Sequence, residues 1–69
     1  MSVRKKLQKA WDGGEVCLFL EDTMSNRSMI SKWGKDTFPD GRRYYTTFKL
    51  QGDLLVIFGE RLAERELRS

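Results

Sequence analysis

The chain has no histidine, one cysteine and one proline, and it has no long apolar run. Each shortage closes off a class of function. Without histidine, the commonest general base near neutral pH is missing, and zinc sites of the usual Cys/His kinds are excluded. A lone Cys17 cannot make an internal disulfide and points to a reducing compartment. Lying in the most apolar stretch, it is expected to be an inert, buried packing residue. No apolar segment approaches the ~18 residues of a membrane span, and the basic N-terminus is not followed by the apolar stretch of a secretory signal. The expectation is a soluble, cytoplasmic domain with no membrane contact.

Sixty-nine residues make one small domain, 1–69. A core of that size supplies only about 3–5 kcal/mol, so cross-links, metals or a second subunit often assist. With the first two set aside, a core shared with a second copy stays open. The remaining polar clusters do not suggest chemistry. Glu21-Asp22 is too small a set for a dedicated cation site. Gly13-Gly14 precedes a strand pattern, not the helix that a phosphate-cradling loop needs. No enzyme activity, cofactor, metal or small-molecule substrate is expected.

What the chain does have is charge in blocks. Residues 1–11 carry Arg4, Lys5, Lys6 and Lys9 without an acid, and residues 12–22 carry four acids without a base. Residues 23–49 hold Arg27, Lys32, Lys35, Arg42, Arg43 and Lys49 against Asp36 and Asp40. Positive charge is thus concentrated in the first helix and the middle of the chain, as on a basic binding face.

Ser2 is placed to cap a helix whose apolar stripe is Val3, Leu7, Ala10 and Trp11, and Gly13-Gly14 ends it. "EVCLFLED" predicts a strand. Both of its sides, Val16/Leu18/Leu20 and Cys17/Phe19, are apolar, so it is expected to be covered on both faces. "RRYYTTFKL" and "LLVIF" predict a hairpin around Gln51-Gly52-Asp53. A three-residue loop pairs Leu50 with Leu54, Phe48 with Val56 and Thr46 with Phe58. Arg43, Tyr45, Thr47 and Lys49 then share the other face with Leu55 and Ile57. "GERLAERELRS" predicts a short helix beginning at Gly59, with Glu64 and Arg68 paired and Leu62, Ala63 and Leu67 docked on the sheet. Residues 23–37 admit two readings. The Pro39-Asp40-Gly41 turn favours a strand, while Ser25 as N-cap, Met29, Ile30 and Trp33 inward, and a stop at Gly34 describe a helix. With the strand, the fold class is a small α+β domain: an N-terminal helix, about four mainly antiparallel strands and a short C-terminal helix.

On the helical reading, "ISKWGKDTFPDGRRYY" resembles the helix-to-wing passage of small phage excisionase-type regulators. There a tryptophan-bearing helix leads into an "FP" segment and a "DGR-aromatic" wing. The likeness covers about a quarter of the chain. It implies that Asn26, Arg27, Ser31 and Lys32 are exposed on a reading helix, with Arg42 and Arg43 in the wing. The chain departs from that pattern at "EVCLFLED", a strand where the family has a first helix.

Two kinds of partner follow. Basic residues interleaved with aromatics on a strand surface suit nucleic acid. The candidate contacts are Arg27, Lys32, Lys35, Arg42, Arg43, Tyr45 and Lys49. The alternative is a protein-docking regulator or inhibitor, possibly homodimeric, that uses an apolar sheet face around Leu55 and Ile57.

Overall fold

Ser2 opens α1 (Val3–Asp12) by accepting, on its side-chain oxygen, a hydrogen bond from the Lys5 N–H at 3.2 Å. Gly13 closes the helix with an N–H bond to the Lys9 carbonyl, and Gly14, at φ +73°, turns the chain out of it. Leu7 and Ala10 are buried, while Val3 and Trp11 pack against the core from its margin. In the computed structural model, which describes residues 1–42 and 44–68, α1 is followed by β1 (Cys17–Glu21), α2 (Met24–Thr37), β2 (Thr46–Leu50), β3 (Asp53–Ile57) and α3 (Gly59–Arg68). The strands form one antiparallel sheet in the order β1-β3-β2. The fold is α+β, with three helices and three strands among the described residues.

The expected fourth strand is helix α2. Its cap is Thr23, whose hydroxyl accepts from the Asn26 N–H at 3.0 Å, and the Asn26 amide ties back to the Glu21 carbonyl. Ile30, Trp33 and Gly34 fall on one side at helical spacing, and all three are buried. Gly34 therefore lies inside the helix, which runs on to Thr37. The Pro39-Asp40-Gly41 turn does form, but it leads from a helix into a strand. The Gly41 N–H bonds to the Phe38 carbonyl, and the Asp40 carboxylate accepts from the Arg42 N–H. A turn residue sets a local bend, whereas burial of Ile30 and Trp33 decides what precedes it.

Helices α1 and α2 run antiparallel to each other on the inner side of the sheet. Arg4 meets Asp36 at 2.8 Å, and the Trp33 indole N–H donates to the Gln8 side-chain carbonyl at 3.0 Å. Leu20, Leu54, Val56 and Phe58 complete the core from the sheet side. Much of the remaining packing is aromatic. Phe38 stands edge-on to Trp11 and Trp33, with centroids 5.0 and 5.4 Å apart, the geometry ring quadrupoles favour.

The hairpin turns in two residues, not three. Gln51 and Gly52 have φ of 42° and 83°, and Leu50 lies opposite Asp53, Phe48 opposite Leu55 and Thr46 opposite Ile57. Positive φ at both central positions gives the turn that matches strand twist. A one-residue slip exchanges the two faces of a strand. Tyr45, Thr47 and Lys49 therefore point toward the helices, while Thr46, Phe48 and Leu50 join Leu55 and Ile57 outside. β1 is likewise covered on one side only. Leu18 and Leu20 face inward, whereas Cys17 is exposed and Phe19 is 60% exposed, correcting the expectation of a buried cysteine.

α3 begins at Gly59 as predicted but does not dock through its leucines. Leu62 and Leu67 are exposed. The helix is held by arginines instead. Arg61 donates from Nε to the Trp11 carbonyl at 3.1 Å, and its guanidinium lies 3.9 Å above the Trp11 ring. Arg65 reaches the Gly14 carbonyl. Glu64 pairs with Arg61 in place of the expected Arg68. No helix among the described residues is long and apolar enough to cross a membrane.

Candidate nucleic-acid interface

An edge strand carries unpaired backbone groups on one side, and β2 is such a strand here. Helix α2 covers its inner face only in part. Between them runs an open groove of about 690 Å³, lined on the helix by Ser31, Gly34 and Lys35 and on the strand side by Arg42 and residues 45–48. A smaller extension toward the helix N-terminus is bordered by Arg27, Ser31 and Thr47. The groove is thus basic at both ends and hydroxyl-rich in the middle. Lys35 and Arg42 mark one end and Arg27 the other, with Ser31, Thr46 and Thr47 between.

These bases are not equally free. Arg27 binds Asp22 through two nitrogens, at 2.6 and 3.0 Å. This bond holds the Asp22 carboxyl below its ordinary range and pushes the Arg27 guanidinium up. Asp22 also feels the positive charge of Lys49, so one acid offsets the charge at this end. Arg42 lies 3.7 Å from Glu60, with both side chains well exposed, a pairing worth little in water. It also lies over the Tyr44 ring. Lys32 and Lys35 are exposed and enter no ion pair with a described residue. Lys32 lies on the outer surface of α2, beside the groove.

Tyr45 is placed differently from the sequence expectation. It is half-buried, its hydroxyl donates to the Ile30 carbonyl at 3.4 Å, and its ring leans on Trp33. Its role in the groove is that of a wall, not a free stacking surface. Tyr44 is also tied down, donating to the Asp40 carboxylate at 2.8 Å. The Arg42 N–H, together with that bond, keeps the Asp40 carboxyl below its usual range, and the Tyr44–Asp40 bond raises the Tyr44 phenol. Phe48 borders the groove along the strand edge, but its place opposite Leu55 turns its ring to the outer face of the sheet. Arg43 lies outside the described residues.

The structure therefore brings Lys35, Arg42 and Tyr45 to one groove, sets Arg27 at its far end and leaves Lys32 beside it. Thr46 and Thr47 were missed as candidates. Their signal was present as adjacent hydroxyls between two basic positions, but the hairpin register was needed to place them. Among the described residues there is no group of three or more His, Cys, Asp or Glu that could hold a metal ion. No protein-family model, curated protein or solved structure matches this chain.

Proposed function

We propose that this chain is a small, non-enzymatic regulatory domain that binds duplex nucleic acid through α2 and the groove beside β2. The observation that carries the reading is the outward surface of α2. Ser28, Ser31, Lys32 and Lys35 are exposed there, short hydroxyls and free ammonium groups on a helix flanked by a hairpin. Short side chains let a helix approach a phosphate backbone closely, and the lysines neutralise it. With Tyr44 and Tyr45 engaged in packing and Phe48 turned to the outer face of the sheet, the groove offers no exposed ring for base stacking among the described residues, which favours a duplex over a single strand. A B-form major groove admits a helix, whereas the deep, narrow major groove of A-form RNA does not, so DNA is the preferred partner.

The test is fluorescence anisotropy with a short random DNA duplex at two salt concentrations. About four phosphate contacts give a slope of log affinity against log salt near −4. Joint Lys32→Glu and Lys35→Glu substitution is expected to abolish binding while the melting temperature holds. Binding that survives charge reversal at both sites overturns the assignment.

The second reading, a protein-docking domain, draws on the outer sheet face. Leu55 lies there between Phe19 and Phe48, which are 60% and 51% exposed, and Ile57 lies between Cys17 and Thr46. Exposed aromatic rings on a flat sheet are costly unless something covers them.

A further inference from the structure

We infer that the outer sheet face joins two copies of this chain, sheet against sheet, about a two-fold axis running across the strands. Three rows of residues cross this face. Phe19, Leu55 and Phe48 form the middle row, between Cys17-Ile57-Thr46 at one end and Glu21-Asp53-Leu50 at the other. The middle row is uncharged and lies at the centre of the sheet, so an axis through Leu55 lays it on its own copy. Among the described residues this face carries two acids and no base, on a chain of net charge +3. It is thus unsuited to nucleic acid and complementary to a surface without strong negative charge.

The acids also choose the axis. A two-fold along the strands would set Asp53 against its own symmetry mate and gather four carboxylates at one end. A two-fold across the strands sends the acid-bearing rows to opposite ends, each at a solvent-facing rim. Like-charge opposition thus excludes one arrangement and leaves the other. The exposed parts of Phe19, Phe48 and Leu50 amount to on the order of 300 Å² of apolar surface per copy. With Leu55 and Ile57, the contact removes roughly 800 Å² in total, short of the ~1,200 Å² of a standard stable interface. The dimer is accordingly reversible and concentration-dependent. A core of nine buried residues among those described, in so small a domain, gains from such a partner.

This arrangement has a consequence that rests on the nucleic-acid reading. It stacks β2 on its copy and so puts both α2–β2 grooves along one edge of the dimer. Sheets pack about 10 Å apart, and each helix layer adds about one helix diameter, ~10 Å. The two α2 axes then stand about 30 Å apart, close to the ~34 Å between successive major grooves on one side of B-DNA.

Sedimentation equilibrium on the free protein, from micromolar to about 1 mM, tests the dimer without nucleic acid. The expected mass rises from 8.1 kDa toward twice that value. Phe48→Asp and, separately, Phe19→Asp are expected to weaken association at least tenfold with the circular dichroism spectrum unchanged. A mass that stays at 8.1 kDa throughout overturns the inference, as does a dimer that persists in both variants. Self-association without duplex binding would leave the dimer standing and remove only the nucleic-acid reading.

Discussion

Tyr45 lies across Gly34, and its ring fills the space that a β-carbon on Gly34 would need. Such a carbon would sit 2.6 Å from Cε1 and 2.8 Å from Cζ. The glycine in the third turn of α2 thus lets the strand side of the groove close against the helix. In an unconstrained helix, Gly→Ala gains about 1 kcal/mol. Here Gly34→Ala is expected to cost about 1–3 kcal/mol, because the ring must leave Trp33 and the Ile30 carbonyl. Urea denaturation measures it. In a Tyr45→Ala background the penalty should largely vanish, a coupling typical of residues in direct contact.

The hairpin offers an independent check on the register. Gln51 is held at φ 42°, a conformation that costs a long side chain more than asparagine. Gln51→Asn is expected to raise stability by several tenths of a kcal/mol, up to about 1, since Asn-Gly is the preferred pair for this turn. The measurement is the shift in denaturation midpoint. An unchanged or lowered midpoint would argue for the three-residue loop.

Acid should weaken the fold through two carboxylates. Arg27 bonds Asp22, and the Arg42 N–H and the Tyr44 hydroxyl bond Asp40, so both carboxyls have depressed folded-state pKa values. Each contributes stability that is fully present above the ordinary carboxylate value of about 3.9 and is lost as pH falls through the lower folded value. Tyr44 is shifted upward by its bond to Asp40. Its contribution is present below about pH 10 and disappears as pH rises through the raised value. Melting curves should therefore be flat from about pH 5 to 8, where no histidine titrates, and drop below about pH 4. Asp22→Asn should flatten part of that drop.

Where a signal was local, the sequence carried it. The Ser2 cap, the stop at Gly13-Gly14, the start of α3 at Gly59 and the existence of the hairpin all depend on residues within a turn of one another. Where the outcome depended on distant partners, local signals misled. Pro39-Asp40-Gly41 suggested a strand before it, but Ile30 and Trp33 gain more by facing α1 and the sheet together. The three-residue loop looked right because it gathered Leu50, Phe48 and Leu54 on one face. The inner face is instead filled by Trp33, Phe38 and Phe58, which leaves Phe48 and Leu50 outside. The candidate site divided in the same way. Lys32, Lys35 and Arg42 were legible as charge, whereas the inward turn of Tyr45 and the arrival of Thr46 and Thr47 at the groove required the register. The Arg27–Asp22 bond was equally invisible, because it depends on how β1 meets the start of α2.

The most direct test of the account is an NMR titration of the isotope-labelled protein with a short random DNA duplex at low and moderate salt. Amide shifts are expected to concentrate at Ser31, Lys32, Lys35, Arg42, Thr46 and Thr47, fading as salt rises. An unchanged spectrum, or shifts confined to Phe19, Leu55 and Phe48 on the opposite face of the sheet, would contradict it.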